Sequence, residues 1–149
     1  MRFHGTYTHS LDDRGRIAIP SRYRDVLADG LVFVNSPDGC VELYAREAYD
    51  EKADLILTAG DTDPAARRLL RSFFGNSFDG EIDKQGRVLI PQQVREARAL
   101  NGAVTIVGRG NCFEIWDAAA YREEGPIADR EFPENLQRLK PQTRAGAAG

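Results

Sequence analysis

Residues 11–24 read LDDRGRIAIPSRYR, and residues 82–95 read IDKQGRVLIPQQVR. Asp12, Gly15, Arg16, Ile19, Pro20 and Arg24 recur as Asp83, Gly86, Arg87, Ile90, Pro91 and Arg95, each 71 positions further on. A second echo follows: CVELYAREAY at 40–49 is answered by CFEIWDAAAY at 112–121, at an offset of 72. The chain is therefore a tandem duplication with one extra residue between the two blocks of the second copy. Two halves of this size would each bury too little surface to stand alone. The expectation is one compact α+β body made of two pseudo-equivalent halves that share a core.

Working outward from the repeat, Thr6–Leu11 is rich in Thr and Tyr and reads as a strand. Asp12-Asp13-Arg14-Gly15 is a turn, with Asp placed to accept backbone N–H groups and Gly15 suited to positive φ. Arg16–Ile19 is the return strand, and Pro20 stops it and opens a helix over about Ser21–Leu27. The second copy repeats the order: strand Phe78–Ile82, turn Asp83–Gly86, strand Arg87–Ile90, helix Pro91–Leu100 stopped by Asn101-Gly102. Each copy continues with a hairpin, LVFV (31–34) with CVELY (40–44), and AVTIV (103–107) with CFEIW (112–116). Helices are expected at Glu47–Leu57 and Ala118–Glu124. Another follows Asp63-Pro64, with Asp63 as cap and Leu69, Leu70, Phe73 and Phe74 as its apolar face. The domain boundaries expected are 1–56 for the first repeat, 57–77 for a connecting helix, 78–124 for the second repeat and 125–149 for a flexible tail. A weak helix near Glu134–Lys140 is the tail's one expected element.

The totals exclude several classes. A hydrophobic share of 42% and a charged share of 29% are those of a soluble globular protein. No apolar run reaches the roughly 18–20 residues of a membrane helix, and the N-terminus has no signal-peptide core. Cys40 and Cys112 occupy matching positions and read as buried strand residues of a reducing compartment. His4 and His9 have no third ligand nearby, so no metal site is expected, and no cofactor motif, nucleophile elbow or phosphate loop is present. Arg67, Arg68 and Arg71 read as a solvated helix face. Trp116 and Tyr44 are equivalent strand aromatics.

The net charge of −3 hides a polarity. Residues 14–24 carry four arginines and no acid, and residues 84–98 carry Lys84, Arg87, Arg95 and Arg98 against Glu96; residues 38–63 carry eight acids against Arg46 and Lys52. Cations collect on the repeated motif, which can steer an anionic ligand to one face. A β-ribbon can enter the DNA major groove, where an arginine fork bonds guanine O6 and N7 together. The candidate DNA-binding residues are Arg14, Arg16, Lys84 and Arg87. Asp12, Gly15, Asp83 and Gly86 would shape the turns and orient the arginines, and Arg22, Arg24 and Arg95 are lesser candidates. Two other readings stay open: a plain hairpin turn with a surface ion pair, or an oligomeric, antitoxin-like module whose hairpins grip a partner protein.

GTYTHSLDDRGRIAIPSRYRD together with GEIDKQGRVLIPQQVRE closely resembles the MraZ family of bacterial transcriptional regulators, and CFEIWDAAAY is similar to it too. The resemblance covers about residues 1–125. It implies two swapped-hairpin, AbrB-like halves around a small β-barrel-like core with peripheral helices. It implies a ring-shaped homo-oligomer, cytoplasmic and nucleoid-associated, without membrane or small-molecule partner. It also implies repression of the division and cell-wall gene cluster through G-rich direct repeats in double-stranded DNA. The family's signature residues fall on Asp12 and Arg16, and on Asp83 and Arg87. Copy one has Arg14 before its glycine; copy two has Gln85 there and Lys84 one place earlier.

Overall fold

The structure is a computed structural model that describes residues 1–139. Its strands are β1 (Thr6–Ser10), β2 (Arg16–Ala18), β3 (Leu31–Asn35), β4 (Val41–Ala45), β5 (Ser77–Gly80), β6 (Arg87–Leu89), β7 (Ala103–Gly108) and β8 (Phe113–Asp117). Its helices are α1 (Arg46–Leu57), α2 (Pro64–Gly75), α3 (Gln92–Ala97) and α4 (Ala118–Gln137). Residues 1–118 form one compact unit, and the segment from Ala119 on is a second.

The first unit is built on a six-stranded sheet of order β1-β7-β8-β4-β3-β5 and a separate two-stranded ribbon, β2-β6. Numbered by copy, this order reads the same from either end. The central antiparallel pair sets Glu42 opposite its equivalent Glu114, and the ribbon sets Ile17 opposite its equivalent Val88. A pseudo-two-fold axis therefore relates the copies through both layers.

Strand alternation explains the layering. Leu31, Phe33, Val41 and Leu43 face a core that includes Ile17, Ile19, Tyr23 and Leu27 of copy one and Val88, Ile90, Val94 and Leu100 of copy two. Val32, Val34 and Tyr44 face the other way and pack with Tyr49, Ala53 and Phe73 of α1 and α2. The middle strands are buried on both faces, which is why β3 reads as an apolar run over Leu31–Val34 and β4 is broken only by Glu42. The sheet stays open, with β1 and β5 as its edges. With the ribbon over its inner face, it makes a core of barrel-like kind.

One local expectation is corrected. The strands flanking each Asp-x-x-Gly-Arg turn do not form a hairpin ladder with each other. β1 pairs with β7, β5 pairs with β3, and β2 pairs with β6. The turns close locally, with the amides of Asp12 and Asp83 donating to the carbonyls of Arg16 and Arg87 at 3.0 and 2.8 Å. The return strands then cross to the other copy. A three-residue strand ended by proline cannot bury its apolar side chains alone. Pairing across the axis buries Ile17, Ile19, Val88 and Ile90 together, each at most 1% exposed.

Helix ends also differ from expectation. Ser21–Leu27 is two 3₁₀ turns, Ser21–Tyr23 and Asp25–Leu27, with no side-chain cap. Tyr23 and Leu27, each fully buried, pin the two turns to the core, whereas the matching stretch of copy two forms α3. α3 stops at Ala97, because Ala99 adopts φ +54° and turns Leu100 into the core, before Asn101-Gly102 is reached. α2 is capped as expected, Asp63 Oδ1 accepting from the Ala66 amide at 2.8 Å. Of its expected apolar face Phe73 is buried, while Leu69 is exposed.

The helix after β8 does not end at Glu124. α4 runs to Gln137 with Pro126 and Pro133 inside it. The flexible tail expected from Gly125 is therefore helical through Gln137. Each proline removes one N–H, but the residues whose carbonyls lose that partner, Arg122 and Asp129, are exposed and can be hydrated. The end of the expected Glu134–Lys140 helix and residues 141–149 lie outside the described residues. No helix among the described residues is long and apolar enough to cross a membrane.

Candidate nucleic-acid interface

The two turns are built alike. Gly15 and Gly86 adopt φ +83° and +78°, a region open to glycine without steric cost. Their amides donate to the Asp12 and Asp83 carbonyls, both at 3.0 Å. Asp12 Oδ1 accepts from the amides of Arg14 and Arg16 at 2.9 and 2.8 Å, and its Oδ2 accepts from Arg16 Nε at 2.7 Å. Asp83 repeats this with the amides of Gln85 and Arg87, both at 2.9 Å, and with Arg87 Nε at 3.3 Å. The amide of Arg16, first among these donors, holds the Asp12 carboxyl down to about 2. The Arg87 amide lowers that of Asp83 in the same way. Both carboxylates stay charged and lock the arginine four residues on, so little side-chain entropy remains to be lost on binding.

The ribbon then sets each turn against the far end of the other copy's return strand. The Ile19 amide donates to the Gly86 carbonyl at 2.9 Å, and the Ile90 amide to the Gly15 carbonyl at 3.1 Å. Arg87 Nη1 lies 3.8 Å from Asp12 Oδ2, the oxygen that already holds Arg16. Arg16 and Arg87, far apart in sequence, flank one carboxylate. Both side chains remain accessible, at 25% and 29%, and Arg14 and Lys84 are exposed at the turn tips. Of the four primary candidates, Arg16 and Arg87 meet at Asp12, while Arg14 and Lys84 stand on the turns at the two ends of the ribbon.

The lesser candidates divide. Arg24 and Arg95 are half-buried supports, whose Nε groups donate to the Ile19 and Ile90 carbonyls at 3.0 and 2.9 Å. Each lies against the turn glycine of the other copy: a Cβ on Gly15 would meet Arg95, and one on Gly86 would meet Arg24. Their recurrence with the glycines was visible in the sequence; that each serves the opposite copy was not. Arg22 is exposed, 5.1 Å from the Tyr23 ring centroid and beside His4.

A cluster that the sequence did not single out lies on the sheet's other face. Glu42 and Glu114, 4% and 8% exposed, stand opposite each other in register. Arg109 Nη1 donates to both, at 2.6 and 2.8 Å. The equivalent aromatics complete it, Tyr44 Oη donating to Glu42 at 3.2 Å and Trp116 Nε1 to Glu114 at 3.0 Å. Cys40 and Cys112 are buried free thiols, pushed up to about 12 chiefly by burial. No group of three or more metal-ligating side chains is gathered among the described residues.

The comparisons with known proteins align with the duplication. The family model described as "MraZ protein, putative antitoxin-like" matches twice, over residues 2–72 and 73–125. A protein of Nocardioides sp. named transcriptional regulator MraZ is 36% identical over 134 residues, covering 90% of this chain and 93% of that protein. A protein of the same name from Roseiflexus castenholzii is 39% identical over 114 residues, covering 76% and 80%. Another from Mycoplasmoides gallisepticum is 35% identical over 121 residues, covering 81% and 85%.

Proposed function

Because this chain belongs to the MraZ family, we propose that it is a sequence-specific DNA-binding transcriptional regulator whose reading element is the β2-β6 ribbon. The observation that carries this is the ribbon itself. Two aspartate-locked arginines from different copies converge there on Asp12, and the turn at each end of the ribbon adds one exposed cation, Arg14 or Lys84. The ribbon's return strands suit the major groove. The ribbon acts by binding, and catalysis has no part in the reading.

In its fuller form the reading is a cytoplasmic, nucleoid-associated repressor of the division and cell-wall gene cluster. One ribbon offers few contacts, and a chain of net charge −3 gains from presenting several ribbons at once. A ring of protomers raises the effective concentration of each ribbon after the first lands. Neighbours related by a rotation other than a two-fold match direct repeats rather than palindromes. G-rich repeats about 10 bp apart, near one DNA turn, would meet successive protomers on one face.

The test is a salt-titrated gel shift with the DNA immediately upstream of the chain's own coding sequence, intact and with its G-runs scrambled. The affinity should fall with salt by about 0.9 in log K per log salt for each phosphate neutralised. Replacing both Arg16 and Arg87 by Ala should abolish the preference for the intact duplex; unchanged affinity in that double variant refutes the reading. The "antitoxin-like" family description supports a second reading, a module that grips a partner protein with the same ribbon. That reading is favoured if DNA binding shows no salt slope and no preference.

A further inference from the structure

We infer that the two turns divide the work: Arg16 reads the base, while Arg87 is a positioning residue kept from reading by Gln85. The inference rests on the DNA reading above and deepens it.

The two guanidinium groups have different company. Arg16 spends its Nε on Asp12, and among the described residues no protein hydrogen bond engages its Nη1 or Nη2. A guanine presenting O6 and N7 needs two such free donors in one fork. Arg87 donates through Nε to Asp83 at 3.3 Å and through Nη2 to the Gln85 side-chain carbonyl, while its Nη1 stands 3.8 Å from Asp12. Two of its three nitrogens donate to protein acceptors, and the third is in ion-pair contact only, so no complete fork is left free. The cause is one residue. Copy two has Gln85, which can accept, before its glycine; copy one has Arg14 at that place, and a guanidinium carries no acceptor.

The surroundings repeat the asymmetry. On the ribbon Arg16 is paired with Leu89 and Arg87 with Ala18. Leu89 is 53% exposed, an apolar neighbour suited to a thymine methyl. One cleft is lined by Arg16, Arg87 and Leu89 together with Asp79, Glu81 and Asp83, and its three acids all come from copy two, on the segment that leads into Arg87. Two of its acids, Asp79 and Glu81, stand where copy one has Thr8 and Ser10. Net charge favours the second tip by one, since Asp13 offsets Arg14 whereas Lys84 stands beside neutral Gln85; what singles out Arg16 is its free fork.

The inequality has a consequence for the DNA. A pseudo-two-fold axis runs through the ribbon, so two equal readers would select an inverted repeat within each site. One dominant reader makes each site directional, as direct repeats require.

The experiment compares full-length variants on the same upstream duplex and its G-scrambled counterpart, with circular dichroism and oligomer mass as checks of folding. Arg16→Ala should lower the preference for the intact duplex about 10- to 100-fold. Arg87→Ala should weaken binding to both duplexes together and keep the preference, and Arg87→Lys, which retains a cation beside Asp12, should recover the affinity. Adding Gln85→Ala to Arg16→Ala should restore part of the preference, by freeing the Arg87 fork. Loss of preference in Arg87→Ala equal to that in Arg16→Ala overturns the division of labour. Absence of any rescue by Gln85→Ala overturns the part assigned to Gln85. If the Arg16 and Arg87 double variant binds like the native chain, the DNA reading falls and this inference with it.

Discussion

Gly15→Ala, made alone and together with Arg95→Ala, measures whether the copies interlock as the ribbon requires. At φ +83° an L-residue is strained by about 1–2 kcal/mol. The added methyl also claims the space of the Arg95 side chain, whose Nε donates to the Ile90 carbonyl at 2.9 Å. Displacing that half-buried guanidinium forfeits a charge-assisted hydrogen bond, about 1.5 kcal/mol at the lower end of its range. Gly15→Ala should therefore cost about 3 kcal/mol and Arg95→Ala about 1.5 kcal/mol. The bond can be lost only once, so the double variant should cost about 3 kcal/mol rather than about 4.5, a coupling of about 1.5 kcal/mol. Gly15→Ala combined with Arg24→Ala should be additive, because Arg24 lies against Gly86. Urea unfolding at one fixed protein concentration, followed by circular dichroism, gives all the terms. If Gly15 couples to Arg24, or is additive with Arg95, the return strands do not cross between copies.

Two further outcomes are expected. Arg109→Met leaves Glu42 and Glu114 buried without their shared cation and should destabilise the fold by about 3 kcal/mol, the low end for a broken buried pair because Arg109 is itself partly exposed. Glu42→Gln in that background should return part of the loss, and a change within about 0.5 kcal/mol in urea unfolding would mean the cluster is not a structural unit. Asp12 is held at about 2 against an ordinary 3.8, so its contribution to stability is full above about pH 4 and is lost as pH falls from there through 2. Asp12→Asn should remove that part of the acid dependence of Tm, and an unchanged profile between pH 4 and pH 2 would contradict the hydrogen-bonded carboxylate.

Much of the fold was legible in the residues because the relevant physics is local. Gly15 and Gly86 announce a positive-φ turn, Asp12 and Asp83 an acceptor for its amides, and the apolar stretches at 31–34, 40–44, 103–107 and 112–116 the two hairpins that form. Asp63-Pro64 marked the start of α2. The ends of the short helices were less legible, because burial of Leu27 and Leu100, rather than propensity, sets where those segments turn. Gly125-Pro126 misled for a related reason: a proline whose lost partner is exposed to water costs a helix less than its reputation suggests.

The sequence by itself determined that the molecule has two like halves, that each carries an aspartate-braced arginine on a tight turn, and that cations gather there. Those features depend on spacings of a few residues and on duplication, which a linear chain displays directly. Only the tertiary structure decided that the return strands cross, that Arg24 and Arg95 each support the other copy's glycine, and that Arg16 and Arg87 meet at one carboxylate. It alone placed two glutamates opposite each other on the axis with Arg109 between them. Such pairings are set by which partner buries the most apolar surface and leaves the fewest charges unmatched. That choice is made among residues about 70 positions apart, beyond the reach of local pattern.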